Sequence, residues 1–271
     1  MDRLKGKVAL VTGAGRMGNI GVAICEAFLR EGAAGVIATD IRTEQQAAIE
    51  DVLGRAGSPA RFRFLQHDAT SLEDWQRVAG EATNAFGQLD VLVNNVGIAL
   101  EGGVFDTSLD SLHRSMAINH DSIFLGTKVC APLLESAIER HSGGGSIINT
   151  ISMASYMPSP HHLGYQTSKA AARMLTLCTA VELGPKRIRV NSVHPGMTRT
   201  PMLKEGFEHY VERGVWSSME ECDRALAEMC PLRIGSDPED TAHAFVYLAS
   251  DESRFMTGAS IYHDGGLGQR Y

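Results

Sequence analysis

The sequence predicts an α/β protein built as a single domain, a doubly wound parallel sheet of about seven strands with helices on both faces. Short runs rich in β-branched residues alternate with helical stretches along the chain, the pattern of a parallel sheet covered on both faces. The chain has 271 residues, of which 44% are hydrophobic, enough for one domain with a large core. No repeat or low-complexity linker divides residues 1–271.

The elements are assigned in chain order from their patterns. The first strand is an apolar run ending at Thr12, and the helix after it has apolar side chains at helical spacing until Gly32 ends it. Later strands are short apolar runs, and helices fill the segments between them. The predicted strands are 7–12, 35–39, 61–65, 89–94, 146–150, 188–193 and 260–262. The predicted helices are 18–30, 43–56, 71–86, 108–140, 164–183 and 238–250.

Charge and composition exclude several classes of protein. Lys and Arg number 25 against 32 Asp and Glu, a net charge of −7, so no basic surface favours nucleic acid or an anionic membrane. The first residues lack the pattern of a secretory leader, and we therefore expect a cytoplasmic protein. The five cysteines are scattered without a CxxC pair, which indicates small core residues rather than disulfides or a metal site.

Residues 200–235 interrupt the regular alternation before the last helix. They combine Phe207, Tyr210 and Trp216 with several methionines and acidic residues. Ligands of doubly wound sheets bind at the carboxyl ends of the strands, and an insertion here can cover that site. We interpret the segment as a substrate lid, the alternative being extra helices packed on the body.

A glycine-rich turn joins the first strand to the first helix. Gly13, Gly15 and Gly18 match the pattern GxGxxG, in which missing side chains let backbone N–H groups and the helix dipole hold a pyrophosphate. The pattern is weak by itself in a chain with 28 glycines, but its strand–turn–helix context is the required one. The turn therefore predicts a Rossmann-type dinucleotide site.

Asp40 follows the second strand, 22 residues after Gly18. A carboxylate here can accept both ribose hydroxyls of an adenosine and repels a 2′-phosphate, which favours NAD. Arg16 and Arg42 are close enough in sequence to offer that phosphate a partner, so NADP stays the less favoured alternative. An ordinary turn residue at the strand end is the other interpretation of Asp40.

Tyr165 and Lys169 are four residues apart in a predicted helix, so both side chains project from one face. A phenol has an ordinary pKa of about 10, and a neighbouring ammonium favours the phenolate. The pair therefore indicates proton transfer to or from a substrate oxygen. Ser152, just past the strand 146–150, can hydrogen-bond the same oxygen, with Ser155 as the competing choice.

These residues resemble the short-chain dehydrogenase/reductase family over essentially the whole chain, from residue 7 to residue 266. Residues 94–97 are similar to the family's Asn-Asn-Ala-Gly segment, with Val96 as a departure. Residues 191–196 resemble the family's segment after the sixth strand, and residues 264–266 its closing motif. The resemblance implies a fold of the type predicted above.

The resemblance also implies a catalytic tetrad. Asn119 matches the family's catalytic asparagine, which holds a water that links Lys169 to solvent as a proton relay. Ser152, Tyr165 and Lys169 complete the set, with Ser152 polarising the substrate oxygen and Tyr165 transferring the proton.

The cofactor site implied by the resemblance extends over several loops. Asp68 resembles the acid whose neighbourhood contacts adenine, and Thr198 and Thr200 fall where the family holds the nicotinamide carboxamide. The candidate cofactor-binding residues are Gly13, Arg16, Met17, Gly18, Ile20, Asp40, Ile41, Asp68, Ala69, Asn95, Val96, Gly97, Tyr165, Lys169, Pro195, Gly196, Thr198 and Thr200.

The glycine loop departs from the family's usual Gly-x-x-x-Gly-x-Gly spacing, because Gly13 to Gly21 is two residues longer. The sequence leaves open whether Gly18 or Gly21 serves as the last glycine. It also leaves open which residue wraps the diphosphate: Gly15, Arg16 or Met17. Long glycine loops occur in the enoyl reductase branch too, but its tyrosine lies seven residues before the lysine, and residue 162 here is His.

The predicted function is hydride transfer between NAD(H) and a secondary alcohol or ketone, with no metal. The candidate substrate-binding residues are Ser152, Met153, His161, Tyr165 and Met202, and further predicted lining residues are Val96, Ile98, Met157, His162, Phe207 and Trp216. This lining indicates a small-molecule substrate of middle size that is partly apolar.

Other interpretations of the same residues stay open. They are an NADP-dependent ketoreductase of 3-oxoacyl or sugar type and a regulator that senses NAD without turnover. A methyltransferase would share the glycine turn but would not explain Tyr165 and Lys169. The resemblance implies a homotetramer formed through the helices predicted at 108–140 and 164–183.

Overall fold

The structure is a computed structural model that describes residues 2–269. Its strands are β1 (Val8–Thr12), β2 (Gly35–Asp40), β3 (Phe62–Gln66), β4 (Val91–Asn94), β5 (Gly145–Thr150), β6 (Ile188–Pro195) and β7 (Ser260–His263). They form one parallel sheet in the order β3-β2-β1-β4-β5-β6-β7. The predicted fold class is confirmed, with strand boundaries that differ by one or two residues.

The α-helices run between these strands and cover both faces of the sheet. They are α1 (Ile20–Arg30), α2 (Gln46–Ala56), α3 (Leu72–Phe86), α4 (Leu109–Met116), α5 (Ser122–Leu134), α6 (Leu163–Leu183), α7 (Pro201–Glu212), α8 (Met219–Met229) and α9 (Pro238–Ala249). None of the helices found among residues 2–269 combines the length and the apolarity that crossing a membrane requires.

Two apolar layers form the core, one on each face of the sheet. Along β1, Ala9 and Val11 pack with residues of α1 and α9, whereas Leu10 packs on the other face with residues of α3 and α5. Every residue of β1 is buried, because successive side chains of a strand point to opposite faces and both faces are covered. Burial on both faces explains why the strands appear in the sequence as continuous apolar runs.

The sheet order places the site. The chain winds outward in one direction from β1 to β3 and in the other from β4 to β7, so the order reverses between β1 and β4. The crevice outside the carboxyl ends of strands at such a reversal is where doubly wound sheets bind ligands. The glycine loop after β1 and the segment after β4 meet there.

The helix predicted over 108–140 is confirmed as an unbroken helical stretch from Leu109 to Glu139, but it is not α-helical throughout. The chain forms α4, a π-helical turn at Ala117–Asp121, α5 and a 3-10 turn at Glu135–Glu139. A π turn inserts an extra residue into the helix and is frequent at functional sites. The apolar periodicity does not reveal it, because the turn is stabilised by tertiary contacts of Asn119, described below.

The segment predicted as a lid folds into α7 and α8. Its aromatic and apolar side chains form a small cluster between these helices, in which Phe207, Cys222 and Leu226 are buried and Trp216 is partly buried. Four of the five cysteines are buried as expected, but Cys178 is exposed on α6, so the core interpretation is wrong for that residue.

Candidate active site

The glycine loop assigns different tasks to Gly18 and Gly21. A Cβ on Gly21 would collide with the main-chain carbonyl of Gly13, so Gly21 lets α1 pack closely against the end of β1. A Cβ on Gly18 would meet no atom within 4 Å, but its φ of +74° lies in the left-handed region. Gly21 therefore fills the role of the motif's last glycine, which allows close packing of helix and strand. Gly18 is required because its backbone is left-handed.

The longer loop is attached on two sides. Its Arg16 side chain lies 2.6 Å from a carboxylate oxygen of Glu205 on α7. The backbone N–H of Met17 donates to Gln45 at 2.7 Å, just before α2. Asn19 caps the first turn of α1, accepting from the N–H of Val22, so the α1 N-terminus opens directly from this loop.

Asp40 lies at the carboxyl end of β2 and is almost completely buried. One carboxylate oxygen accepts the Gly15 N–H at 2.8 Å, and the other accepts the Arg42 N–H at 3.0 Å. A Cβ on Gly15 would overlap the Asp40 side chain, so the loop closes on this carboxylate. Each carboxylate oxygen has a second lone pair beyond the bond given. The neighbouring Ile41 is exposed.

Asp68 and Ala69 follow β3 at the same edge of the sheet. The Asp68 carboxylate accepts from both the N–H and the hydroxyl of Thr70, at 2.9 and 2.7 Å. Ala69 is buried, and its carbonyl accepts the indole N–H of Trp75 at 2.9 Å. These contacts hold the loop after β3 in a fixed shape beside β2.

Asn95 ties three strand ends together. Its amide nitrogen donates to the carbonyls of Thr12 and Gly13, both at 3.1 Å, and its amide oxygen accepts the hydroxyl of Thr150 at 3.0 Å. The carboxyl ends of β1, β4 and β5 are thereby joined. The Asn95 side chain is thus engaged with the protein frame.

Tyr165 and Lys169 lie in the first half of α6, beneath the end of β5. The Lys169 ammonium donates to the Thr150 carbonyl at 2.8 Å and lies 6.0 Å from the centre of the Tyr165 ring. Burial lowers the pKa of Lys169 to about 8. Burial also raises the pKa of Tyr165 above its ordinary value, and a hydrogen bond with Ser152 opposes that rise.

Ser152 and Ser155 differ in what their hydroxyls contact. The Ser152 hydroxyl oxygen accepts the Ala154 N–H at 3.1 Å, and the same hydroxyl acts to lower the pKa of Tyr165. The Ser155 hydroxyl instead donates to the Ser152 carbonyl at 2.8 Å. Of the two serines, Ser152 is the one whose hydroxyl lies close enough to Tyr165 to affect the pKa of the phenol.

Asn119 is fully buried in the π turn and reaches the same place from another side. Its amide oxygen accepts the Ile98 N–H at 2.8 Å, and its amide nitrogen donates to the Ile98 carbonyl at 2.9 Å and to Ser168 at 3.0 Å. A Cβ on Gly97 would lie 3.2 Å from both the Asn119 amide oxygen and the Lys169 ammonium. The absence of that Cβ keeps a space beside Lys169.

The segment after β6 approaches the site edge closely. A Cβ on Gly196 would lie 2.7 Å from the Cα of Asp264. Thr198 is buried with its hydroxyl 3.4 Å from that of Thr241 on α9, and Thr200 caps α7 by accepting the Leu203 N–H at 3.2 Å. Both threonine hydroxyls therefore have partners within the protein.

Three contacts made by α7 and the residue after it could not be predicted from the sequence. The first is the Arg16–Glu205 pair. The second joins His162, at the start of α6, to the Tyr210 hydroxyl at 3.2 Å. The third joins Glu101, after β4, to Arg213 at 3.4 Å and to His209 at 3.7 Å. The partners of these contacts in the segment 205–213 belong to no motif, and only folding brings them to Arg16, His162 and Glu101.

The predicted substrate residues lie in different surroundings. Met153 is buried against Cys230 and Leu267, and Met202 is exposed on α7. His161 is exposed with a φ of +65°, and its carbonyl accepts the Gly102 N–H at 2.8 Å. His161 lines a surface cleft of about 360 Å³ beside the loop after β4.

Comparisons with known proteins agree with this architecture. Residues 13–268 match a family model described as Enoyl-(Acyl carrier protein) reductase. The chain is 36% identical to trans-4-hydroxycyclohexanecarboxylate dehydrogenase of Sinomonas cyclohexanicum, over 98% of this chain and 94% of the relative. It is 35% identical to the NADP-dependent (R)-specific alcohol dehydrogenase of Lentilactobacillus kefiri, over 98% of both.

A solved structure gives the same result. The crystal structure of a protein assigned to the short-chain dehydrogenases/reductases in Burkholderia xenovorans superposes with a TM-score of 0.89, at 34% identity over 100% of both chains. The chain therefore belongs to the short-chain dehydrogenase/reductase family, oxidoreductases that act with a nicotinamide cofactor.

Proposed function

We propose that the protein is an NAD(H)-dependent dehydrogenase that interconverts a partly apolar secondary alcohol of middle size and its ketone. The observation that carries the proposal is the meeting of Ser152, Tyr165, Lys169 and Asn119 at the carboxyl ends of β4 and β5. These groups come from three separate segments and have complementary tasks in one proton transfer. A regulator that only senses the dinucleotide has no use for such a set.

Tyr165 is the general acid and base. In reduction its hydroxyl donates a proton to the carbonyl oxygen, and in alcohol oxidation its phenolate accepts one. Ser152 hydrogen-bonds the same oxygen and polarises it. Because the pKa of Lys169 is lowered only to about 8, its side chain is mainly an ammonium at neutral pH and favours the phenolate.

The residues present fit a dinucleotide. The α1 N-terminus and the glycine loop offer backbone N–H groups without side chains in the way, and Asp40 retains lone pairs for ribose hydroxyls. Lys169 donates one bond to Thr150, and the two further N–H groups of an ammonium suit ribose hydroxyls at the space beside Gly97. When bound, the cofactor supplies or accepts a hydride at C4 of its nicotinamide.

NADP is the second candidate cofactor. One relative is named as NADP-dependent, and Arg16 and Arg42 lie in the loops beside Asp40. In the structure Arg16 is paired with Glu205, while the Asp40 carboxylate occupies the end of β2. A carboxylate at that position disfavours a 2′-phosphate, which supports NAD.

A ring-bearing alcohol is the substrate class that the relatives support. The Sinomonas relative is named for a hydroxyl on a cyclohexane ring. Reduction of an enoyl double bond has less support, because the residue seven before Lys169 is His162, whose ring contacts Tyr210.

The test follows NADH absorbance with a panel of cyclic, aromatic, sugar and hydroxyacyl alcohols, each with NAD and with NADP. Tyr165→Phe should lower kcat on the best substrate by about 10²- to 10⁴-fold, because it removes only the transferring hydroxyl. NADH binding should persist. Tyr247→Phe, on α9, is the matched control, since its hydroxyl contacts the Met256 sulfur.

The outcomes of this test bear on the catalytic role of Tyr165, on enzymatic activity and on cofactor preference. Near-normal turnover by Tyr165→Phe would overturn the catalytic assignment. NADH binding without turnover of any alcohol or ketone would favour the sensing regulator. A wild-type enzyme that is faster with NADP would reverse the proposed cofactor preference.

A further inference from the structure

We propose that His194 is a positioning residue for Ser152, holding the main chain of that serine so that its hydroxyl meets Tyr165. The inference rests on the proposed function. His194 lies on β6 and is fully buried. Its Nδ1 is 3.1 Å from the Ser152 carbonyl oxygen, and its Nε2 is 2.9 Å from the Ser192 hydroxyl oxygen.

The partners of the ring determine its tautomer. A carbonyl oxygen can only accept, so Nδ1 of His194 carries the proton and donates to the Ser152 carbonyl. Nδ1 also lies 3.2 Å from the Ser155 hydroxyl oxygen, which can accept a share of the same N–H because that hydroxyl donates its own proton to the Ser152 carbonyl. Nε2 is then unprotonated and accepts the Ser192 hydroxyl. Burial lowers the pKa of His194 to about 4, so the ring is neutral at physiological pH and both nitrogens are used.

The Ser152 peptide is held from both sides. Its carbonyl also accepts the Ser155 N–H at 3.1 Å and the Ser155 hydroxyl at 2.8 Å. Two residues earlier, the Thr150 carbonyl accepts the Lys169 ammonium at 2.8 Å. His194 is the one of these donors that comes from the neighbouring strand, and it therefore fixes Ser152 relative to the sheet rather than relative to its own turn.

The His194 ring is itself confined by aromatic neighbours. The ring centres of Tyr156 and Tyr262 lie 5.9 and 5.1 Å away. The Tyr156 hydroxyl donates to Asp264 at 3.0 Å, and the other Asp264 oxygen accepts the Gly266 N–H at 2.9 Å. The Asp-Gly-Gly segment thus holds the Tyr156 ring, which packs beside the His194 imidazole.

His194→Leu tests the inference, because it keeps an apolar side chain in the cavity and removes the donor to Ser152. We expect kcat to fall about tenfold or more, as for a lost buried hydrogen bond at a reacting group, while the Kd for NADH stays within about twofold. His194→Asn can place an amide N–H near the Nδ1 position and should recover most of the loss.

His67→Leu is the matched control. His67 is also buried, burial also lowers its pKa to about 4, and its Nδ1 lies 2.9 Å from the Thr39 hydroxyl. A purely structural role for His194 would give both leucine variants similar losses of stability and an unchanged kcat at saturating cofactor. We expect only His194→Leu to lose kcat.

The outcomes separate this inference from the proposed function. Full activity of Tyr165→Phe would overturn the proposed function. An inactive Tyr165→Phe together with His194→Leu that retains the wild-type kcat, or with His194→Asn no better than His194→Leu, would overturn the role of His194 alone. Where His194→Leu fails to fold, the comparison of His194→Asn with wild type decides, since a positioning amide predicts kcat within about threefold of wild type.

Discussion

The two disputed glycines of the cofactor loop show how single residues can be required for unrelated reasons. Gly18 has open space around it but a left-handed backbone, whereas Gly21 has an ordinary helical position but no room for a Cβ. A left-handed conformation is tolerated by asparagine better than by most residues, while a steric collision with backbone is not relieved by any side chain.

Substitutions at these two glycines should therefore differ. Gly18→Asn should leave the free energy of unfolding within about 1 kcal/mol of wild type. Gly21→Ala should lower it by about 1–3 kcal/mol or more and weaken NADH binding, because the Gly13 carbonyl must move. Urea unfolding and NADH titration measure both. Greater damage from Gly18→Asn than from Gly21→Ala would contradict the assignment.

We expect the cofactor preference to depend on Asp40. Asp40→Ala should raise the ratio of kcat/KM for NADP to kcat/KM for NAD by about tenfold or more, because the repulsion of a 2′-phosphate is removed. The ratio cancels general damage from the lost Gly15 bond. Asp68→Ala, which removes a carboxylate from the next strand end, should leave the ratio unchanged. An unchanged ratio in Asp40→Ala would refute its role in discrimination.

At the scale of elements, α7 is the helix that joins the separate parts of the site. Its contacts reach the glycine loop through Arg16, the loop after β4 through Glu101, and the start of α6 through His162. These contacts are few and partly exposed, and each contributes modestly to stability. We therefore propose that α7 opens and closes over the site as a substrate lid.

The lid proposal predicts the effect of one hydroxyl. Tyr210→Phe removes the bond to His162, worth about 0.5–1.5 kcal/mol, and should raise KM for the alcohol about three- to tenfold. KM for NAD and kcat should change little, because neither depends on that contact. Lys204→Ala, on an exposed face of the same helix, is the control. Equal KM values for wild type and Tyr210→Phe would show that the His162 contact does not hold the lid.

At the level of the whole molecule, some of the exposed apolar side chains are candidates for contacts between copies of the chain. They lie on α4, α5 and α6, the elements through which the family resemblance implies association. They include Leu109, Phe124, Met174 and Val181. Large exposed apolar patches mark association sites more often than free surface. We therefore propose that these side chains are covered by other copies of the chain.

Association can be measured directly. Light scattering should give about four times the chain mass of 29.2 kDa, the tetramer implied by the family resemblance. Val181→Asp, which places a charge among these apolar side chains, should lower the measured mass because burying an unpaired carboxylate is costly. A monomer mass for the wild-type protein would contradict the proposal.

Much of the fold and part of the site follow from the sequence. Apolar runs with both faces buried predicted all seven strands, and the glycine turn and Asp40 predicted the cofactor end, because these patterns reflect local backbone needs. Helical spacing places Tyr165 and Lys169 on one helix face, and the position of Ser152 at the end of the preceding strand was needed to interpret them as a functional pair. The π turn around Asn119 escaped detection, since its stabilising partners Ile98 and Ser168 lie 21 and 49 residues away.

The fold class and the order of elements could be predicted before folding was known, because apolar runs and helical or strand periodicity are properties of short stretches of chain. Which residues share a contact became known only from the folded chain. It distinguished Gly18 from Gly21, Ser152 from Ser155, and a free His194 from one bonded to Ser152 and Ser192. The physical reason is that hydrogen bonds and collisions depend on distances across the sheet, which no short stretch of sequence contains.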